Sequence, residues 1–181
     1  MTVYGEESAD WCEKNDKMVR GLLKVNHLGI LEHINFTFHV SEISRALTHQ
    51  LVRHRLASFL QMSGRHAKPE AHDHVIPQSV RDKEAMPLYI NSMIHAYMDY
   101  NHLIRAGVPI EDARYVLPPA FFTHISMTMN VRTILHFLEL RLAKEAQWEI
   151  RDLACKIFDI CYEKYPILFE SVKELRDEND N

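Results

Sequence analysis

At 181 residues, with 46% hydrophobic and 25% charged side chains, the chain has the length and balance of one domain with a sizeable core. Its formal charge of −4 argues against a general nucleic-acid binder, and no apolar run reaches the length of a membrane span. Cys12, Cys155 and Cys161 have no metal-ligand spacing, and five glycines cannot be assembled into a G-x-G-x-x-G turn or a phosphate loop. The expectation is a cytoplasmic protein with reduced thiols, no metal, and no Rossmann-type grip on a nucleotide. The first 26 residues are too polar for a signal peptide.

The elements follow in order. Ser8 or Asp10 is placed to cap a first helix whose apolar side is Trp11, Met18, Leu22 and Leu23. Residues 27–33 read as a loop, with Glu32 and His33 either in it or opening the next strand. Ile34, Phe36, Phe38 and Val40 alternate with Asn35, Thr37 and His39, which predicts a half-buried strand. Ser41 is then read as the cap of a helix over residues 41–52, with Ile43, Ala46, Leu47 and Leu51 on its inner face. Residues 72–77 suit a short strand or a loop. A long helical region spans 82–106 with a start or break near Pro87, and Gly107-Val108-Pro109 ends it. Pro109 followed by Glu111 and Asp112 opens a short helix that stops at Pro118-Pro119.

Phe122 to Asn130 alternates again, apolar at Ile125, Met127 and Met129, polar at His124, Ser126, Thr128 and Asn130. Asn130 caps a predicted helix over residues 131–142, and a last helix runs from Ala146 to about Tyr162. The charged tail from Lys173 is expected to fray. No repeat, linker or low-complexity stretch divides the chain, so a single domain over residues 1–181 is expected.

The densest chemistry lies at Arg53-His54-Arg55, followed after seven residues by Ser63-Gly64-Arg65. Three successive side chains diverge on a helix and alternate on a strand, so the triplet reads as a junction at a helix end. Guanidinium forks suit phosphates and planar carbonyls, a serine hydroxyl adds a donor, and Gly64 lets backbone approach a ligand closely. In an acidic protein such a local cluster points to a small anionic ligand. Taken alone, three bases at a helix end are as readily a solvated cluster. Twelve histidines occur, and only His54 sits within a motif.

The pattern Arg-His-Arg, seven residues, Ser resembles the signature of the flavin-dependent thymidylate synthases. The similarity extends over residues 27–68 and 113–150. The second block comprises Ala113-Arg114-Tyr115-Val116-Leu117-Pro118, Thr128-Met129-Asn130-Val131-Arg132, Phe137-Leu138, Leu140-Arg141 and Ala146-Gln147-Trp148-Glu149-Ile150. Its motifs come in the family's order and nearly its spacing.

That resemblance implies an α+β fold, a small sheet packed by long helices, assembled as a homotetramer whose sites are shared between subunits. It implies transfer of methylene from 5,10-methylenetetrahydrofolate to C5 of dUMP, and its reduction to methyl by NADPH through FAD. His27, Glu32, Arg53, His54, Arg55, Asn130 and Arg132 would contact FAD. Gln50, Gln61, Ser63, Gly64, Arg65, Arg114 and Arg141 would hold dUMP, and Met62 would touch it through its backbone. Arg141 would also be catalytic, stabilising charge on the pyrimidine carbonyls. Read without the resemblance, Gln50 is an exposed helix glutamine, and Arg132 and Arg141 are helix-surface ion-pair partners.

The chain departs from the family's usual pattern at Leu60 (often Asn), His66 (often Tyr) and Glu145 (often His), and the family's first strand is short or absent. Three rival functions stay open: C5 methylation of another uracil nucleotide such as UMP, a degenerate flavin- or nucleotide-binding homologue without turnover, and a phosphate-binding structural protein. Neither nucleic acid nor membrane is an expected partner.

Overall fold

The structure is a computed structural model that describes residues 2–4, 13–64 and 69–180. The fold is α+β and mostly helical. In chain order come β1 (Thr2–Tyr4), α1 (Glu13–Lys24), a 3-10 helix (Leu28–His33), β2 (Asn35–Ser44), α2 (Arg45–Leu51) and β3 (Ser58–Gln61). Then follow α3 (Gln78–Asp82), α4 (Met86–Arg105), α5 (Ile110–Ala113), a 3-10 turn (Arg114–Val116), β4 (Phe122–Asn130), α6 (Val131–Arg141), α7 (Trp148–Lys164) and α8 (Pro166–Asp180). The strands form one small sheet in the order β1-β2-β4-β3. No described helix is long and apolar enough to cross a membrane.

The chain divides into two compact units whose boundaries cut β2 after Phe38 and β4 after Ser126. The first comprises residues 1–2, 39–50 and 59–126; the second comprises residues 3–38, 51–58 and 127–181.

β2 and β4 are antiparallel. The Thr37 and Thr128 hydroxyls meet at 2.9 Å, His39 Nδ1 meets the Ser126 hydroxyl at 2.8 Å, and the Val131 N–H donates to the Ile34 carbonyl. Each of these pairs keeps one register. The Arg45 N–H, however, donates to the carbonyl of Phe121, one residue out of that register. The extra residue is taken up where Ser41 and Glu42 are exposed in succession and Glu42 adopts φ +57. This is a β-bulge, in which an unpaired residue bends the strand and re-aims its side chains.

The bulge corrects the helix expected from Ser41. The strand continues to Ser44, whose Oγ accepts from the Leu47 N–H at 2.9 Å and so caps α2. Residues 28–33 form a 3-10 helix rather than a plain loop. β3 is an addition; its Leu60 points outward, so the four residues carry no alternating hydrophobic signal. In α1 Val19 is buried, whereas Met18 is exposed; the Ser8 or Asp10 cap and Trp11 lie outside the described residues. The tail is helical through Asp180, because Ile167, Leu168, Phe169 and Val172 give α8 a buried face and Pro166 supplies a pre-set first turn.

In the first unit Val40, Ile43, Leu47, Met93, Tyr100, Phe121 and Ile125 are buried together with Ala113. In the second, α6, α7 and α8 pack with the 3-10 helix through Leu31, Phe38, Ile134, Phe137, Leu138, Ile150, Ile157 and Phe169. Each such side chain stabilises by roughly 1.5–3 kcal/mol on burial. Side-chain caps fix both helix starts: Asn130 Oδ1 accepts from the Thr133 N–H at 2.8 Å, and Gln147 Oε1 accepts from Glu149 and Ile150. The second cap starts α7 at Trp148, two residues after the expected start.

Candidate functional site

The first unit holds a cavity of about 850 Å³ whose wall includes Glu42, Arg45, Met62, Gly64, Arg114 and His124. Its floor is set by Gly64. A Cβ at that position would lie 2.6 Å from Arg45 Nη2 and 3.2 Å from Arg114 Nη1. Two guanidinium groups therefore converge on a backbone that has no side chain to keep them away. Arg114 is oriented by donating from Nε to the Glu111 carbonyl at 3.0 Å, which leaves both Nη groups for other work. Burial, and then the positive charge of Arg114, lower the pKa of Arg45. Among the described residues no carboxylate forms an ion pair with either arginine. Two guanidinium groups beside a backbone without a side chain offer donors of the kind that suit an anion.

Of the residues expected at the nucleotide, Met62, Gly64 and Arg114 line this cavity. The Met62 N–H is committed to the His124 carbonyl at 2.9 Å. Gln61 is adjacent on β3, and its Nε2 donates to the hydroxyls of Thr48 and Thr123 at 3.2 and 3.3 Å. Ser63 is exposed beside Gly64, Gln50 is half-buried in the last turn of α2, and Arg65 lies outside the described residues. Arg141 belongs to the second unit, where its Nε is buried without a hydrogen-bond partner among the described residues.

All seven residues expected at the flavin lie in the second unit. Arg132 is ion-paired with Glu32, both about half exposed. His27 is exposed just before the 3-10 helix that carries Glu32, and Asn130 caps the helix that carries Arg132. The Arg-His-Arg triplet does form a junction: α2 ends at Leu51, turns follow, and the Arg53 and Arg55 side chains diverge into solvent. His54 turns the other way. It is only 6% exposed, with its ring edge-on to Phe137 at 5.5 Å and tilted against His136 at 5.6 Å. Its Nε2 is buried without a hydrogen-bond partner among the described residues. Burial depresses its pKa, and the charges of His136 and Arg141 push the same way.

The sequence reading missed Arg45, because it stood in the middle of a helix presumed to begin at Ser41. It is the first residue of α2, the position from which a side chain reaches the cavity wall. Its spacing from the triplet carried the only signal, since α2 connects the two. A second cavity in the same unit, about 550 Å³, is lined by His39, Leu60, Gln61, Met62, His124 and Ser126. Leu60, one of the three departures, is 76% exposed there.

Comparisons with known proteins place the sequence in a family. Residues 2–167 match the family described as thymidylate synthase complementing protein. A flavin-dependent thymidylate synthase of Saccharolobus solfataricus is 44% identical over 154 residues, covering 84% of this chain and 59% of that protein. One of Sulfurisphaera tokodaii is 42% identical, covering 88% and 63%, and one of Geobacter sulfurreducens is 42% identical, covering 82% and 65%. The chain thus spans about six tenths of the length of these relatives. With both motif blocks inside the matched region, the chain belongs to the thymidylate synthase complementing protein family.

Proposed function

We propose that this protein is a flavin-dependent thymidylate synthase. It transfers methylene from 5,10-methylenetetrahydrofolate to C5 of dUMP and reduces it to methyl at the expense of NADPH, giving dTMP. The observation that carries this reading is the convergence of Arg45 and Arg114 on Gly64, a site for a phosphate within a family whose named relatives are flavin-dependent thymidylate synthases.

The nucleotide phosphate binds between the two guanidinium groups, with the Ser63-Gly64-Arg65 segment completing the cradle. Gln61, Met62 and Gln50 shape the wall around the sugar and base. Arg141 donates to a pyrimidine carbonyl, where negative charge accumulates as C5 attacks. An orphaned, buried Nε is in keeping with a donor awaiting its acceptor.

The flavin set fits a dinucleotide that lacks a glycine-rich turn. Arg53 and Arg55 offer solvent-facing forks for a diphosphate, Arg132 with Glu32 offers a paired donor and acceptor, and His27 and Asn130 flank them. His54 holds the junction from inside, by packing on Phe137. Bound there, FAD supplies the redox capacity that no side chain of the chain has.

The family match covers residues of both units. The working form is a cytoplasmic homotetramer in which subunits share sites.

The test is release of tritium from C5-labelled dUMP with 5,10-methylenetetrahydrofolate, FAD and NADPH. Release that depends on all four components is the expected result. Tight dUMP binding without release would leave a nucleotide-binding homologue instead. Tritium release from labelled UMP alone would make the substrate the ribonucleotide.

A further inference from the structure

We propose that Glu42 reads the sugar of the bound nucleotide, its carboxylate accepting a hydrogen bond from the 3′-hydroxyl of the deoxyribose. This rests on the reading that a uracil nucleotide occupies the Arg45–Arg114 cavity.

Three observations converge on Glu42. Its φ of +57 is a left-handed conformation that disfavours a side chain as large as glutamate. That conformation sits at the bulge in β2, established by the change of register between the Ile34–Val131 and Arg45–Phe121 pairs. Bulges beside active sites serve to re-aim a side chain, and here the re-aimed side chain lines the cavity.

The second observation is chemical. Among the described residues two carboxylates line this cavity, Asp73 and Glu42. Asp73 Oδ2 is engaged by the Glu70 N–H at 2.8 Å, within its own loop. Glu42 makes no side-chain hydrogen bond or ion pair among the described residues. An acceptor-only group is thus presented to the ligand.

The third is positional. Glu42 lies three residues before Arg45 and enters the same space. A carboxylate repels a phosphate, so it cannot serve the part of the ligand that the guanidiniums hold. Only hydroxyl and N–H donors suit it, and dUMP has two: the 3′-hydroxyl and N3–H. The hydroxyl is on the ring that carries the phosphate, whereas N3–H is at the far edge of the base. The neighbour of a phosphate site is therefore matched to the hydroxyl.

The experiment compares dUMP with its 2′,3′-dideoxy analogue and with inorganic phosphate, by calorimetric titration of the full chain saturated with FAD. Wild type should bind dUMP about tenfold more tightly than the dideoxy analogue, the value of one charge-assisted hydrogen bond. Glu42→Gly and Glu42→Asn, both compatible with the left-handed backbone, should erase that difference while leaving phosphate affinity unchanged or tighter. Glu42→Gly should also raise the melting temperature by about 2–4 °C, because it relieves the strain. A residue kept only for structure would not gain stability as it loses discrimination. Retention of the dUMP preference in both variants, or equal binding of the two nucleotides by wild type, overturns the assignment and leaves the nucleotide reading standing. Wild type that binds neither nucleotide overturns both.

Discussion

The Arg45 guanidinium lies 2.6 Å from the point where a Cβ on Gly64 would sit, with that of Arg114 at 3.2 Å. Gly64→Ala must therefore displace both arginine tips. These are ends of flexible side chains, so the fold should lose little, under about 1 kcal/mol. Ligand binding should lose far more, since two charge-assisted contacts depend on those tips. The expected outcome is a melting curve close to wild type with dUMP affinity reduced roughly 10- to 100-fold. A large fall in melting temperature with unchanged affinity would remove the anion-site assignment.

Burial first, and then the neighbouring charge of Arg114, lower the pKa of Arg45, so a bound anion should relieve both. Added phosphate should raise the melting temperature in proportion to site occupancy. In Arg45→Met the repulsion is gone, so the protein without ligand should be as stable as wild type or more so. Its response to phosphate should be largely lost. Thermal melts at rising phosphate, with ionic strength held constant by chloride, separate specific occupancy from general screening.

How far the sequence could go is visible around these same residues. β4 and its cap at Asn130 were legible because strand alternation and helix capping are local, and both read directly from nine or ten residues. The Arg45–Gly64–Arg114 convergence was not, because it joins the start of α2, the turn that follows β3 and a 3-10 turn, and only the tertiary fold brings them together. Glu42 was illegible for a different reason. Nothing in a glutamate predicts a positive φ, and the alternation up to Val40 gave no warning that the strand would bulge and continue to Ser44. The helix of the tail was not legible because from Lys173 on the sequence shows charge without an apolar face, and α8 is anchored by buried residues ahead of it, Ile167 to Phe169 and Val172.

Asn130 carries two separable roles. Its Oδ1 caps α6 through the Thr133 N–H, and it stands beside Arg132 in the proposed flavin set. Asn130→Ala should cost about 0.5–2 kcal/mol of stability through the lost cap. Asn130→Asp keeps the acceptor and places favourable charge at a helix N-terminus, so its stability should match wild type. That added negative charge should weaken FAD binding several-fold, read by flavin fluorescence. Equal FAD affinity in Asn130→Asp would separate Asn130 from the cofactor site.

His54 and His74 are both buried, at 6% and 7% exposure, and burial lowers the pKa of each. The sign follows from proton binding. Between the depressed folded-state value and about 6.5 in the unfolded chain, the unfolded state binds more protons, so stability falls as pH falls. The contribution is fully present above about pH 6.5 and is lost on acidification toward the folded-state value. Each histidine limits the slope to about 1.4 kcal/mol per pH unit. Urea midpoints measured from pH 8 to pH 5 should decline below about 6.5, and His54→Phe or His74→Phe should each flatten the decline. A midpoint that rises on acidification would reverse the assignment of these groups as buried neutral bases.

The cysteines bear on whether the nucleotide becomes covalently attached to the protein. A cysteine nucleophile attacks as thiolate and needs cations or a helix N-terminus to lower its pKa. Cys161 is fully buried inside α7, and burial pushes its thiol up to about 12. Cys155, on the same helix, is also shifted upward by burial, despite the opposing influence of Arg176 and Arg151. Neither lines the cavity that holds Arg45 and Arg114, and Cys12 lies outside the described residues. Replacing Cys12 and Cys155 by Ser, and Cys161 by Ala to respect its apolar surroundings, should leave dUMP-dependent tritium release within a few-fold of wild type. Any loss should track stability, which Cys161→Ala lowers by about 1 kcal/mol through the space it vacates. Ser63→Ala should weaken dUMP binding more than it lowers the maximal rate, as befits a contact to bound ligand rather than a nucleophile. Mass spectrometry of acid-quenched reactions should find no protein–dUMP adduct at any cysteine or at Ser63; one trapped there would require a mechanism in which a side chain bonds to the pyrimidine.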